Sequence, residues 1–456
     1  MMKTMRTAET IKENRKQMTH TKALLLTIGT CSVLTFTGCA AALSNASQTS
    51  SASSASSTAT TADGSVQTTA SEGSQPLGTT VISTVTTSAN GVIDTSDLFS
   101  DRDLTQTADL TNAVTYTVSD STDIHITEAG VYVLSGTAKD VTIYVEAESD
   151  AKVQLVLDGL NLTNTDFPCI YVTDADKVFV TTSSDSSLKV TGSFTTDGDT
   201  NTDGVIFSRS DLVLNGTAAL TVNSTGNGIV CKDDLKVTGG TYNITATSKA
   251  LEANDSLLIA DGTFNLTAGT DGLHAENDED DTKGYIYICG GSFTINAGDD
   301  SIHAISIVQI DNGTFTINAA EGIEGTYIQI NGGTINLQAS DDGINAGQKS
   351  NSYRPTVEIN GGSITVIMGA GDTDGIDSNG DIYVNGGTVN VTGNSAFDYD
   401  GTAEYNGGTI IVNGEQVDTI PNQMMGGGRG GFGGMNESGS FGENGGMKGN
   451  RTQGNR

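Results

Sequence analysis

Tryptophan is absent from the 456 residues, proline occurs 4 times, and Phe and Tyr supply only 5% aromatic content. A chain so poor in large rings cannot build a thick globular core, and with 36% hydrophobic residues it has to fold around a slim one. Positive charge is scarce too: 22 Lys and Arg stand against 55 Asp and Glu, a formal net charge of −33. Backbone phosphates require a basic surface, so nucleic acid is excluded as a partner, and cations or cation-bridged ligands suit the chain better. Cysteine is sparse. Beyond Cys31 and Cys39 near the N-terminus, Cys169, Cys231 and Cys289 are an odd number for a disulfide framework. They read as small, half-buried residues, with a Cys169–Cys231 bridge left open. After the N-terminus no long apolar run and no helical periodicity appears.

What is abundant is glycine, 57 residues, and it is periodic. An acidic phrase recurs at Asp271-Gly272-Leu273-His274, Asp300-Ser301-Ile302-His303, Glu321-Gly322-Ile323-Glu324, Asp342-Gly343-Ile344-Asn345 and Asp374-Gly375-Ile376-Asp377. A second phrase follows each time, as in Asn331-Gly332-Gly333, Asn360-Gly361-Gly362 and Asn385-Gly386-Gly387. A unit of about 20 to 30 residues signals a solenoid. Between the phrases, Ile286/Ile288, Val308/Ile310, Ile328/Ile330, Val357/Ile359 and Ile382/Val384 alternate with polar residues, and a second alternating run follows each corner. A side-chain period of two defines strands with one face in a core. Three short strands per turn, closed by glycine-bearing corners, predict an all-β parallel β-helix with rungs about 4.8 Å apart.

The chain divides in order. Residues 1–39 carry basic residues, an apolar stretch and Gly38-Cys39-Ala40, which resembles the lipobox of bacterial lipoproteins with Cys39 lipidated; ordinary signal cleavage near Ala40 to Ala42 is the alternative. Residues 40–90, rich in Ser, Thr and Ala, read as a disordered tether. Residues 91–420 are the body, with blurred N-terminal rungs over 110–225 and regular rungs over 226–412. Residues 421–456, rich in Gly, Met and Asn, read as a disordered tail. The expected setting is extracellular, the expected state a monomer anchored to the membrane through lipid alone.

Stacking the acidic phrases brings like charges within roughly 5 Å of one another, where they repel. A hard cation with oxygen ligands relieves this, and Ca2+ takes six to eight oxygens in flexible geometry. The expected ligands are Asp271, Asp299, Asp300, Glu321, Asp341, Asp342, Asp372, Asp374 and Asp377, with Asn345, Asn379 and turn carbonyls completing the shell. The competing reading is that Asp-Gly is simply a good turn former. His274, His303 and Glu324 share one rung position, which fits a transition-metal or acid–base set or a plain polar ladder. The loop from Glu276 to Asp281 reads as solvated charge. Tyr287, Gln309, Gln329 and Tyr383 sit at outward positions and are the expected carbohydrate contacts, since amides pair with hydroxyls and rings stack on apolar sugar faces. Without Trp, the affinity should be modest.

The succession Leu155-Val156-Leu157-Asp158-Gly159-Leu160, Ser210-Asp211-Leu212-Val213-Leu214-Asn215-Gly216 and Gly228-Ile229-Val230-Cys231-Lys232-Asp233-Asp234-Leu235, followed by the two repeated phrases, resembles the bacterial cell-surface carbohydrate-binding β-helix family over residues 110–412. The resemblance implies a right-handed parallel β-helix similar to pectate lyases that binds Ca2+ and plant polysaccharides such as cellulose and polygalacturonate. The expected function is therefore non-catalytic polysaccharide binding. Two alternatives stand beside it: a calcium-dependent pectate-type lyase, for which Lys283, Lys349 and Arg354 are the available bases besides histidine, and an adhesive or spacer stalk.

Overall fold

The structure is a computed structural model that describes residues 92–371 and 373–422. The predicted signal and lipidated Cys39, the tether, Asp372 and the tail from residue 423 onward lie outside the described residues. Among the described residues there is no helix; the chain is all-β.

In the regular rungs each strand pairs in parallel with the strand three places further along. Ser256–Ile259 pairs with Tyr285–Ile288, Thr263–Ala268 with Ser292–Ala297, and Leu273–Ala275 with Asp300–Ala304. Three consecutive strands make one rung, and the three kinds of strand form three faces. First and second strands belong to one 24-stranded sheet, third strands to a separate 12-stranded sheet. The final pairing is different: Glu415–Val417 turns back antiparallel on Thr409–Val412.

The in-register pairing explains the core. Because like residues face like across rungs, Phe264, Phe293 and Phe315 stack with centroids 4.6 and 4.5 Å apart and nearly parallel planes. Each buried ring contributes about 1.5–3 kcal/mol by burial alone. Ile286, Ile288, Val308, Ile310, Ile328 and Ile330 are fully buried beside them, as the alternation requires. The Asn-Gly-Gly corners have two different needs. At Gly361 a Cβ would sit 2.5 Å from the Asn331 carbonyl oxygen of the rung below, whereas Gly362 adopts φ of +88°. The corner asparagines form a ladder: Asn360 donates to Asn331, Asn385 to Asn360 and Asn406 to Asn385, at 2.8, 2.8 and 2.9 Å. In the N-terminal rungs, the long strands Gly130–Lys139 and Lys152–Asn164 run on through a register shift between Leu134 and Gly136 in place of such corners, which is why the repeat is blurred there.

Residues 92–106 run across the outside of the first-strand face. The backbone N–H groups of Ile93 and Val92 donate to Gln309 Oε1 and Gln329 Oε1 at 2.8 and 3.1 Å. Ile93, Leu98, Phe99 and Leu104 pack on Leu258, Tyr287 and Cys289. Further on, Lys236 Nζ donates to the Leu98 carbonyl at 2.6 Å, Arg102 lies 4.3 Å over the Phe179 ring, and Gln106 Oε1 accepts from Gly216 N at 3.0 Å. Tyr287, Gln309 and Gln329, expected to meet sugar, are therefore buried beneath this strap, with exposures of 0%, 0% and 2%. Tyr383, on the same column but two rungs beyond Gln329, stays half-buried. Cys169, Cys231 and Cys289 are all buried and free, so no Cys169–Cys231 bridge forms.

Candidate functional site

The turn from second to third strand comes soon after an alanine or methionine that closes the second strand: Ala268, Ala297, Ala319, Ala339 and Met368. The acidic phrase follows within a few residues, so every rung delivers its carboxylates to the same edge. Register then builds two columns along the third-strand face. One pairs Asp300 with Glu321. The other runs Glu252, His274, His303, Glu324, Asn345, Asp377 and Asp398.

The predicted ligands do not share one environment. Asp271 and Asp300 are buried, Glu321, Asp342, Asp374 and Asp377 are half-buried, and Asp299 and Asp341 are exposed on the outer side of the turn. Among the described residues, two sets of three ligating groups place donor atoms within 4.8 Å of one another: Asp300, His303 and Glu324, and Asp211, Asp233 and Asp234. Of the predicted carboxylates only Asp300 joins such a set. The rest are spread along the column, with Asp342 Oδ1 accepting from Asp374 N at 3.0 Å.

Charge is compensated unevenly. In the histidine-bearing rungs, His303 Nδ1 stands 2.7 Å from Asp300 Oδ2 and 2.8 Å from Glu324 Oε2, while Lys349 Nζ meets Glu324 Oε1 at 2.8 Å. His274 stacks on His303 with centroids 4.7 Å apart, its Nδ1 2.8 Å from Asp271 Oδ2 but off the hydrogen-bond axis, its Nε2 3.2 Å from Glu276 Oε2. Burial works against the His303 imidazolium, yet Asp300 and Glu324 hold its pKa up at about 9. Burial would raise Glu324, but His303 and Lys349 bring it down to about 2. Asp300 is the reluctant partner: burial, with Glu324 adding to it, pushes it up to about 6 despite His303.

Among the described residues no Lys, Arg or His lies within 4.0 Å of the Asp342 or Asp377 carboxylates. Burial and the neighbouring Asp342, Asp374 and Asp398 push Asp377 up to about 7, and burial with Glu324 and Asp300 does the same to Glu321. Asp398 Oδ1 is buried without a hydrogen-bond partner. Like charges packed this way, with only oxygen donors at hand, fit a hard divalent cation. In the loop Glu276–Asp281, Glu276, Asp278, Glu279 and Asp280 are exposed, while its half-buried members are tied down: Asn351 N and Ser352 Oγ donate to Asp281 at 3.0 and 2.7 Å, and Asn277 Nδ2 donates to Asp255 at 2.6 Å.

The open polar surface is the second-strand face. Thr314, Thr316 and Asn318 pair in register with Thr334, Asn336 and Gln338, all exposed, while Phe315, Ile317, Ile335 and Leu337 between them point inward. Where this face meets the acidic turn lies a groove of about 460 Å³, lined by Asn318, Ala319, Gln338, Ser340 and Ile367 among others. Sequence alternation marks these residues as outward but says nothing of the groove, which is made by the small residues closing successive strands.

A family model described as carbohydrate-binding domain-containing protein matches residues 119–373 and 323–419. A carbohydrate-binding domain-containing protein of Acetivibrio thermocellus is 36% identical over 129 residues, 27% of this chain; the matched part is 45% of that protein, less than half its length. A solved structure of a polysaccharide lyase-like protein from C. thermocellum, a gadolinium derivative, is 31% identical with a TM-score of 0.43, covering 49% of this chain and 96% of that one. With its strand repeat, its acidic edge and a family match that extends over more than half of its length, the chain belongs to the carbohydrate-binding domain-containing protein family.

Proposed function

We propose that the protein is a non-catalytic polysaccharide-binding protein, a right-handed parallel β-helix held outside the cell by a lipid on Cys39. Its ligand is a plant-type polysaccharide, polyuronate or cellulose-like. The observation that carries this reading is the groove at the second turn. On one side stand the exposed amides of Asn318 and Gln338, with exposed Thr316 and Asn336 further back on the same strands, and next to its Gly298 and Ser340 walls come the exposed Asp299 and Asp341. Rungs repeat at about 4.8 Å, a spacing that lets an extended sugar chain meet one rung after another. Calcium supplies positive charge between two sets of carboxylates when bound. The half-buried Glu321, Asp342, Asp374 and Asp377 would hold it, and exposed Asp299 and Asp341 would turn it toward uronate groups.

The basic residues support binding over lyase chemistry. A lyase needs a deprotonated base beside the metal. Lys349 does stand beside the column, but although burial opposes its charge, the hydrogen bond to Glu324 and the nearby Asp300 hold its pKa above the ordinary lysine value. Arg354 Nε is paired with Asp381 Oδ2 at 2.7 Å, and Lys283 with Asp255.

The test is retention on polygalacturonate and on cellulose with and without a chelator. Polygalacturonate binding should fall in chelator and fall several-fold in Asn318→Ala/Gln338→Ala with an unchanged melting temperature. Retention indifferent to the chelator would remove the calcium bridge, and a calcium-dependent rise in ultraviolet absorbance from unsaturated products would establish the lyase instead. Fatty-acid labelling lost in Cys39→Ser tests the anchor.

A further inference from the structure

The calcium reading leaves the histidine-bearing rungs unexplained, since imidazole is a poor ligand for a hard cation. Three adjacent features converge there. His303 Nδ1 faces two carboxylate oxygens at once, Asp300 Oδ2 at 2.7 Å and Glu324 Oε2 at 2.8 Å. Asp300 is buried, its side chain only 8% exposed, and its second oxygen, Oδ1, has no hydrogen-bond partner. Parallel pairing of Asp300–Ala304 with Glu321–Gly325 fixes His303 directly beside Glu324, so the three groups are held by adjoining strands and not by a loop.

We propose that Asp300, His303 and Glu324 form a site for a borderline divalent ion of the zinc type, on the histidine-bearing rungs of the same acidic edge and using none of the carboxylates assigned to calcium. One imidazole nitrogen and two carboxylate oxygens are donor types that zinc accepts, and three protein ligands leave the fourth tetrahedral position to water. The donors already lie within 4.8 Å of one another. Bonds of about 2.0–2.2 Å in a tetrahedron separate neighbouring donors by roughly 3.3 Å, so the two carboxylates need to open from His303 by only about half an ångström. Asp300 Oδ1, now unpartnered, is free to swing in. The surroundings orient the ligands: Lys349 holds Glu324 Oε1 at 2.8 Å, and the His274 ring stacks on His303 at 4.7 Å. Supporting contacts of this kind commonly change metal affinity 10–100-fold. His274 is set apart from the three donors: Glu276 takes its Nε2 at 3.2 Å, and its Nδ1 is turned to Asp271 Oδ2 at 2.8 Å, off the hydrogen-bond axis. On binding, the ion takes the place of the proton on His303 Nδ1, and the ring keeps its other proton on Nε2.

The experiment titrates the full chain with Zn2+ in millimolar calcium, read by calorimetry and by the ring resonances of isotopically labelled histidine. One equivalent of zinc should bind, shifting the rings of His303 and the stacked His274 and leaving His125, which pairs with Glu146 at 2.9 Å elsewhere on the molecule, unmoved. His303→Gln should weaken zinc at least about 100-fold, whereas Asp377→Asn, which alters the calcium edge, should leave zinc binding unchanged. Zinc that fails to bind in calcium, that binds equally well to His303→Gln, or that moves only other histidines overturns the site. The unsubstituted protein decides by its resonances alone if His303→Gln does not fold. Polysaccharide retention is scored separately, so loss of that activity and loss of the zinc site are distinguishable.

Discussion

The first-strand and second-strand faces are written in the same alternating code, yet one is wet and the other is not. Tyr287, Gln309 and Gln329 occupy on the first the place that Thr316 and Asn336 occupy on the second. Both sets point away from the core. Residues 92–106 then cover the first set and convert outward side chains into the floor of an interface, where the amides receive backbone N–H groups and the tyrosine hydroxyl donates to Asp311 Oδ2 at 2.9 Å. Pointing outward and meeting water are separate properties, and only the first is local.

The sharpest way to break this comparison is to truncate matched residues on the two faces. Tyr287→Ala should cost about 3–5 kcal/mol in denaturant unfolding, as for a buried ring; a loss under about 0.5 kcal/mol would mean that the face is open. Gln309→Ala comes next. Removing the acceptor leaves the Ile93 N–H unpaired under cover, a cost of about 1–3 kcal/mol, while Thr316→Ala on the open face should stay within about 0.5 kcal/mol.

The smallest effect belongs to the acidic edge that borders the open face. Glu321 and Asp377 have folded-state pKa values pushed up to about 7, above the roughly 4 of unfolded carboxylates. A raised carboxylate pKa means that the folded state holds more protons, so its penalty is absent below about pH 4 and grows as pH rises through about 7. The metal-free melting temperature should therefore decline by a few degrees from pH 5 to 8, and calcium should reverse the decline at pH 8. Asp377→Asn should raise the metal-free melting temperature at pH 8 and shrink the calcium effect. A flat metal-free profile would show that the column is already compensated.

Much of this was legible in the chain. Alternation marked which residues of the first and second strands of the regular rungs face the core, and the Asn-Gly-Gly phrase marked corners between them, because a period of two and a positive φ are demands made on neighbouring residues. The position shared by His274, His303 and Glu324 was legible as well, since equal rung lengths put equal offsets in register. The strap was not. Ile93, Leu98, Phe99 and Leu104 are too few and too irregular to form a strand or helix pattern, and their partners lie more than 100 residues away. Nor was the division of the acidic edge into compensated and uncompensated halves, which depends on Lys349 returning from an insertion to reach Glu324.

By itself, then, the sequence determined the rung: an apolar lining, polar columns outside it, glycine corners and an edge on which carboxylates must gather, since each follows from the geometry of a few consecutive residues. Tertiary structure alone decided which polar column remains in water, which carboxylates meet a cation of the chain, and that His303 stands between two of them. Those outcomes depend on contacts between different strands and on a segment that folds over them, and contact across such distances is set by packing, not by local pattern.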